Sequence, residues 1–418
     1  MAEDALFAGI DIGSTSVRIA VGQRLPAADK EQVHIVGAAE VPSEGINRGV
    51  INSIEDAVSS VSACIEKVER MTGAPVGSAW VSISGSNVTL LESKGVVAVA
   101  KSDGEIREDD VDRVVDAAQT VATPVNFEIL HVIPKAFTVD GQKGIKDPVG
   151  MNGLRLEVDA QIIQGLSSHI KNLTKCVYRT GVNIERLVLG VLATAEVVTT
   201  ARQKELGVAV VNIGGATTNL VVFEQGDILH MSSIPLGSDH ITSDIAIGLR
   251  TSIDVAERVK LQYAEASGAN VGRSEQVNLR ELGADSDEVV SRKYVCDIVQ
   301  ARLEEILERV EKDLKKIQRS GMLPAGVVLT GGGSKIAGLV DLTKQKLRLP
   351  ASLGYPIGVT SITDRVNDLA FTTAIGLVQW GMNEMPEGGA KKRKGAGLGK
   401  AGEKVAESLK KWFGALVP

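Results

Sequence analysis

Residues 210–223 read VVNIGGATTNLVVF, and residues 8–22 read AGIDIGSTSVRIAVG. Laid on each other, Asp11 falls on Asn212, Gly13 on Gly214 and Ser14 on Gly215, with apolar residues filling both flanks. Each copy predicts two β-rich runs around a turn of small residues. Such a tip exposes backbone N–H groups and hydroxyls in a concave turn, which suits the oxygens of a phosphate chain. An aspartate just before the tip, Asp11, suits the metal that accompanies phosphates, directly or through water. One such hairpin is weak evidence, because Asp-x-Gly-Ser-Thr also makes ordinary turns. Two copies, offset by 201 positions (residue 212 against residue 11), imply two similar lobes closing on one polyanion from opposite sides.

A third element is VVLTGGGSKIAGL at 327–339, a buried-type strand running into Gly331, Gly332 and Gly333 and then a helix. Glycines let the backbone approach a flat ligand such as a purine, and a helix N-terminus favours negative charge. Before it, AERVK puts Glu257 and Lys260 three apart on one helical face. They are placed to reach a ribose and a base edge. Without the surrounding motifs, a solvated ion pair would be the default reading.

The rest of the chain narrows the class. Its 418 residues are 44% hydrophobic with 44 glycines and only 3% aromatics, which suits a Val/Ile-rich α/β protein of two or more domains. A formal charge of −6 argues against binding nucleic acid. Cys64, Cys176 and Cys296 match no metal or disulfide spacing and point to a reducing compartment. No apolar run approaches the ~20 residues that span a bilayer, and the opening residues run into strand and turn rather than a signal peptide. The five histidines show no metal spacing, and TGGGSK is no P-loop.

Strands and helices alternate over most of the length. Ile54, Val58, Val61, Ile65 and Val68 predict a helix over 53–71, stopped by Gly73 and Pro75. A strand–helix–strand block over about 83–162, its helix starting near Glu108 and carrying Val111, Val114, Val115, Ala118 and Val121, predicts a compact α+β insert. Residues 289–320 predict the longest helix, with Tyr294, Ile298, Leu303, Ile306, Leu307, Val310, Leu314 and Ile317 as its apolar stripe and Gly321 as C-cap.

In this order the elements resemble the actin-like ATPase superfamily, with its two phosphate hairpins and Gly-rich adenosine turn, and within it the FtsA family of bacterial cell division. HVIPKAFTVDGQKGIKDPVGMNGLRLEV at 131–158 resembles the insert of that family; HITSDIAIGLRTSIDVAERVK at 240–260 and the amphipathic C-terminus are also similar. The resemblance implies a two-lobed ribonuclease H-like fold. The first lobe would be residues 1–82, completed by about 163–198 and 370–386, with the insert at 83–162. The second would be 199–240 with 325–369, its small subdomain 241–324, followed by a linker at 387–402 and a helix at 403–418.

It further implies ATP with Mg as cofactor, the Mg held near Asp11 through water. The nucleotide would be held by Gly13, Ser14, Thr15, Ser16, Arg18, Gly214, Gly215, Ala216, Thr217, Thr218, Glu257, Lys260 and the three glycines 331–333. Arg18 would either neutralise phosphate or point out of the hairpin, and family members often carry Lys at the place of Ser16. The second hairpin of the superfamily usually has Asp where Asn212 stands. An amide is neutral and a poorer base or metal ligand, so the change predicts retained binding with slow turnover.

The implied partners are the C-terminal peptide of the tubulin-like FtsZ, further copies of the chain in a filament, and other division proteins at the insert. SRKYVCDIVQAR resembles the FtsZ-contacting segment of the family and puts forward Arg292, Lys293 and Arg302. The implied place is the cytoplasmic face of the cell membrane at the division site. A pilus-assembly platform and a sugar kinase or phosphatase on the same fold are the alternatives. The tail speaks against the first, and the second lacks a visible sugar-phosphate apparatus.

That tail is read from its residues. GGAKKRKGAGLGKAG predicts a flexible tether. Val405, Leu409, Trp412, Phe413 and Leu416 then form one apolar stripe at helical period, with Lys404, Lys410 and Lys411 beside it, an in-plane helix for an anionic lipid surface.

Overall fold

A computed structural model describes residues 6–25, 32–85, 87–100, 103–120, 124–272, 274–285 and 287–385. The tether and the C-terminal helix therefore lie outside the described residues, as does Val121. The described chain makes two compact units, one from segments 1–86 and 176–379, the other from 87–175 and 380 onward.

The first unit contains the same strand arrangement twice. In a six-stranded sheet, Phe7–Ile12 pairs antiparallel with Ser16–Leu25 and parallel with Ser78–Ile83; Gln32–Pro42 continues beyond the hairpin. In a five-stranded sheet, Val208–Ile213 pairs antiparallel with Thr218–Glu224 and parallel with Val327–Thr330; Asp227–Ile234 continues beyond it. Even the turns match, since Gly13 N donates to Ser16 O at 3.2 Å and Gly214 N to Thr217 O at 2.9 Å. The repeated sequence is a repeated half-sheet.

Both hairpins have helices on their faces, which is why their strands are apolar without alternation. Ile10, Ile19, Val210 and Val221 are fully buried. The helix Ile54–Thr72 covers the first sheet, capped by Ser53, whose hydroxyl accepts from Asp56 N, and ended by Gly73 at φ 70°. The helix Thr372–Glu384 packs so tightly on the first strand that a Cβ at Gly9 would stand 2.3 Å from Ala374 O. Two residues after Ala374, a Cβ at Gly376 would stand 2.0 Å from Ala193 O of the helix Gly190–Val198. Two helices cross there at backbone contact, and only glycine permits it.

Helices Ser238–Leu249, Ile253–Tyr263 and Arg292–Lys316 pack as a group against one core with the second sheet. The last differs from expectation. Residues Val289–Ser291 are a strand, and the helix ends at Lys316, with Ile317 as its cap rather than Gly321. Its stripe begins with Val295 and Val299, while Tyr294 is 49% exposed. The β-branched run at 289–290 pairs with Gln276–Asn278, a partner invisible to helical periodicity.

The second unit is an antiparallel sheet in the order Val88–Ala98, Arg155–Leu166, Phe127–Val139, Gln142–Ile145. The helix Glu108–Thr120 covers it, closing on a core of Val114, Val115, Phe137 and Leu156. A Cβ at Gly95 would lie 2.0 Å from Val114 O, so this helix also sits on a glycine.

Asp110, 2% exposed, ties the helix start to the strand end. Its carboxylate accepts from Arg107 N at 3.0 Å, from Ala100 N at 3.2 Å and from the Arg113 guanidinium. Burial pushes this carboxyl up, but those donors outweigh it and hold it below the ordinary carboxylate range. Asp110→Ala is expected to destabilise this unit by about 3 kcal/mol, measured by chemical denaturation. Because the folded pKa is depressed, the stabilisation is complete above the unfolded value near ~4 and is lost as pH falls through the folded one. Acid denaturation of the variant should therefore show a shallower dependence below about pH 4.

Candidate nucleotide site

Asp11 is the last residue but one of the first strand. Its Oδ1 accepts from Ser82 Oγ at 2.7 Å, and that hydroxyl accepts from Ile12 N at 3.2 Å. Burial pushes the Asp11 carboxyl up more strongly than the Ser82 hydrogen bond and the Arg18 charge pull it down. A nearby cation would relieve that cost. Among the described residues no group of three or more His, Cys, Asp or Glu could hold a metal. A single carboxylate fits a Mg ion held through water and shared with phosphate oxygens, not an all-protein cage.

Around the first tip, Ser14 Oγ accepts from Gly49 N at 3.0 Å and Thr15 Oγ1 donates to Asp239 Oδ2 at 3.2 Å. Ser16 opens the return strand, opposite Pro42. Arg18 lies opposite Glu40 in the ladder and pairs with it at 2.6 Å, its guanidinium 6.0 Å from the centre of the Phe371 ring. Its charge already has a partner.

The second tip is fixed by the helix that follows it. Ser238 N donates to Gly214 O and Asp239 N to Gly215 O, both at 2.9 Å. Ala216, Thr217 and Thr218 are buried, and Thr218 Oγ1 donates to Leu236 O at 2.8 Å, so that hydroxyl shapes the loop. Asn212 Nδ2 donates to Thr194 and Thr373, each at 3.2 Å. Those hydroxyls sit where the two glycine-packed helices cross. The amide thus anchors the second hairpin to the crossing, a use that an unprotonated carboxylate, having no proton to donate, would reverse.

The adenosine turn departs from a simple strand-to-helix passage. Gly331 has φ 85°, a 3₁₀ turn covers Gly332–Lys335, and the α-helix starts only at Leu339. Gly333 backs onto Ile213, whereas Gly332 is exposed. The segment after Tyr263 reaches the same place, with Ala266 N donating to Ala337 O at 2.8 Å. Lys260, 7% exposed, pairs with Glu257 at 2.6 Å and donates to Thr242 Oγ1 at 2.9 Å. This is a built, half-desolvated group rather than a solvated pair. Thr242, Ser82 and Asp239 were not legible as site residues; Asp239 could have been found from its place two residues after Gly237 at a helix start.

The three basic residues put forward for a partner each carry an acidic neighbour. Arg292 pairs with Glu275 at 2.6 Å and Lys293 with Asp297 at 2.9 Å. Arg302 grips Asp244 with two nitrogens, at 2.6 and 2.9 Å, and also meets Glu305 at 2.5 Å. Beside them Ile247 is 77% exposed, and Gly248 packs against Ile298 and the Tyr294 hydroxyl. No helix among the described residues is long and apolar enough to cross a membrane.

Comparison with known proteins agrees with this layout. The family model for cell division protein FtsA matches residues 209–376, and that for the SHS2 domain inserted in FtsA matches residues 85–164. A chain of the PilM–PilN type IV pilus biogenesis complex is similar at TM-score 0.64 and 16% identity, covering 91% of this chain and 99% of that one. MreB5 of Spiroplasma citri bound to ADP is similar at TM-score 0.51 and 14% identity, covering 89% and 94%. These two likenesses show the fold alone, which is actin-like, and the family model adds the inserted SHS2 domain. Cell division protein FtsA of Pseudomonas aeruginosa is 35% identical over 409 residues, 97% of each chain. The chain belongs to the FtsA family of cell division proteins.

Proposed function

We propose that this protein is an ATP-binding, polymer-forming adaptor that tethers FtsZ filaments to the cytoplasmic face of the cell membrane at the division site. The observation that carries the nucleotide reading is the pair of identical turns, Gly13–Ser16 and Gly214–Thr217, whose tips meet through Thr15 and Asp239. The remaining backbone N–H groups of two such tips brought together would suit one polyphosphate. MreB5, of the same fold, is recorded with ADP, which supports the same ligand class here. When bound, Mg would neutralise phosphate charge; Asp11 would orient its water, and the Lys260–Glu257 pair would meet the nucleoside. With Asn212 committed to Thr194 and Thr373, no charged base stands at that position, and turnover is slow.

The FtsZ peptide, acidic and apolar, would dock on the face formed by Ile247, Tyr294 and Arg302, where Gly248 packs against Tyr294 and Arg302 grips Asp244. Lys293, nine residues before Arg302, lies on the opposite side of the helix Arg292–Lys316. Exposed apolar side chains such as Ile247 and Tyr294 fit such a ligand. The insert would contact other division proteins, and repeated copies would assemble into filaments. The pilus-platform alternative has only fold similarity behind it, at 16% identity, whereas a 35% identical relative is a division protein.

A binding assay with an FtsZ C-terminal peptide tests the reading. Ile247→Asp is expected to weaken peptide binding about tenfold or more, because it places a charge in an apolar contact, with melting temperature and ATP affinity unchanged. Arg302→Gln should also weaken it. Peptide binding by neither wild type nor variants would reject the adaptor role.

A further inference from the structure

The two phosphate tips are joined by a side-chain hydrogen bond, and its acceptor is a carboxylate. Thr15 Oγ1, in the first turn, donates at 3.2 Å to Oδ2 of Asp239, at the start of the helix Ser238–Leu249 that packs on the second tip. The same carboxylate rests on the second tip: a Cβ at Gly215 would lie 2.7 and 3.0 Å from its oxygens and 1.7 Å from Thr15 Oγ1. Asp239 cannot swing away with its backbone, since its N–H is bonded to Gly215 O at 2.9 Å. Lys260, which reaches the neighbouring Ser238 O at 3.4 Å, has its charge taken by Glu257 at 2.6 Å. The place where the phosphate chain must enter thus carries a fixed negative charge.

We propose that Asp239 makes nucleotide binding conditional on a divalent cation, as a specificity-determining residue of the site proposed above, on which this inference rests. A polyphosphate without a cation meets a like charge at the tip and must also break the Thr15 bond. A nucleotide that brings a divalent cation would turn the repulsion into attraction, the Asp239 carboxylate helping to hold the cation. Thr15, no longer needed by Asp239, would be free to donate its hydroxyl to the nucleotide. Asp11 favours the cation as well, but with one oxygen engaged by Ser82 it belongs to the first lobe alone, and among the described residues no hydrogen bond joins its side chain to the second tip.

The test is calorimetric titration of the full chain with ATP, in excess Mg²⁺ and in EDTA. For wild type, affinity should be at least about tenfold weaker in EDTA. Asp239→Asn keeps an acceptor for Thr15 but removes the charge, and should narrow that ratio towards one by improving the cation-free affinity. Thr15→Val, which removes the hydroxyl alone, should weaken both affinities and preserve the ratio. An Asp239→Asn protein with the wild-type ratio, or a Thr15→Val protein whose ratio narrows as far, would overturn the assignment while leaving the ATP site standing. Wild type that binds no ATP in either condition would overturn the nucleotide reading and this inference with it.

Discussion

Replacing Gly332 by aspartate is expected to leave the fold intact and abolish ATP binding. The neighbouring glycines could not serve for this test. Gly331 holds φ 85°, and a Cβ there would stand 2.3 Å from Asn212 Oδ1; a Cβ at Gly333 would stand 2.5 Å from Ile213 Cγ2. Either substitution would strain the strand that carries the second hairpin. A Cβ at Gly332 meets only Ala370 Cβ, at 3.8 Å, which is ordinary contact. The new side chain therefore points into the open side of the turn, where the adenosine would lie. A carboxylate forced against a bound nucleotide is desolvated and unpaired, at a cost of about 3–5 kcal/mol. At 1.4 kcal/mol per decade this is a loss of roughly 100-fold or more in affinity. Calorimetry with Mg·ATP should show no measurable binding, while the thermal melt stays within a few degrees of wild type. Unchanged ATP affinity would remove this turn from the site.

That contrast between adjacent glycines was not available from the sequence, although the glycines themselves were. Turn chemistry is local, so GIDIGSTS and VNIGGATT announce the hairpins by themselves, and the helix ending at Gly73 was legible for the same reason. Contacts across the chain are another matter. Thr15 and Asp239 are separated by 224 positions, and nothing in either neighbourhood names the other. Arg302 shows the boundary within one residue. Its contact with Glu305 follows from helical spacing, but its stronger, two-pronged partner Asp244 lies 58 positions away on another helix. The resemblance of SRKYVCDIVQAR to an FtsZ-contacting segment made Arg302 a candidate for an acidic peptide, whereas its geometry makes it also a brace between two helices. The burial of Lys260 was hidden similarly, because its partner Glu257 was visible at i−3 while the Thr242 hydroxyl that takes another of its protons was not.

Removing the residues after Gly402, or substituting Trp412→Glu, is expected to abolish co-sedimentation with anionic vesicles while leaving ATP and FtsZ-peptide binding in place. Val405, Leu409, Trp412, Phe413 and Leu416 follow an i, i+4, i+7, i+8, i+11 pattern, one stripe of a 3.6-residue period. About 15 helical residues reach only roughly 22 Å, too short for a hydrocarbon core of ~30 Å. An in-plane helix satisfies both its length and its amphipathic pattern, with Trp412 and Phe413 at the headgroup boundary and Lys404, Lys410 and Lys411 towards anionic lipid. On such a surface each of these lysines would contribute on the order of 1 kcal/mol, which falls with added salt. Binding should therefore weaken in high salt before the apolar stripe is altered. A helix docked on its own protein would need a fixed packing address, and the Gly/Lys-rich run before it supplies reach instead. One short helix binds transiently, so a filament that presents many tails to one surface gains its hold by avidity. A glutamate at position 412 places a charge at the centre of the buried stripe and cancels most of what a single tail contributes. If the truncated protein still sediments with anionic vesicles, the anchor is elsewhere in the chain, and filaments lacking this helix should then remain on the membrane.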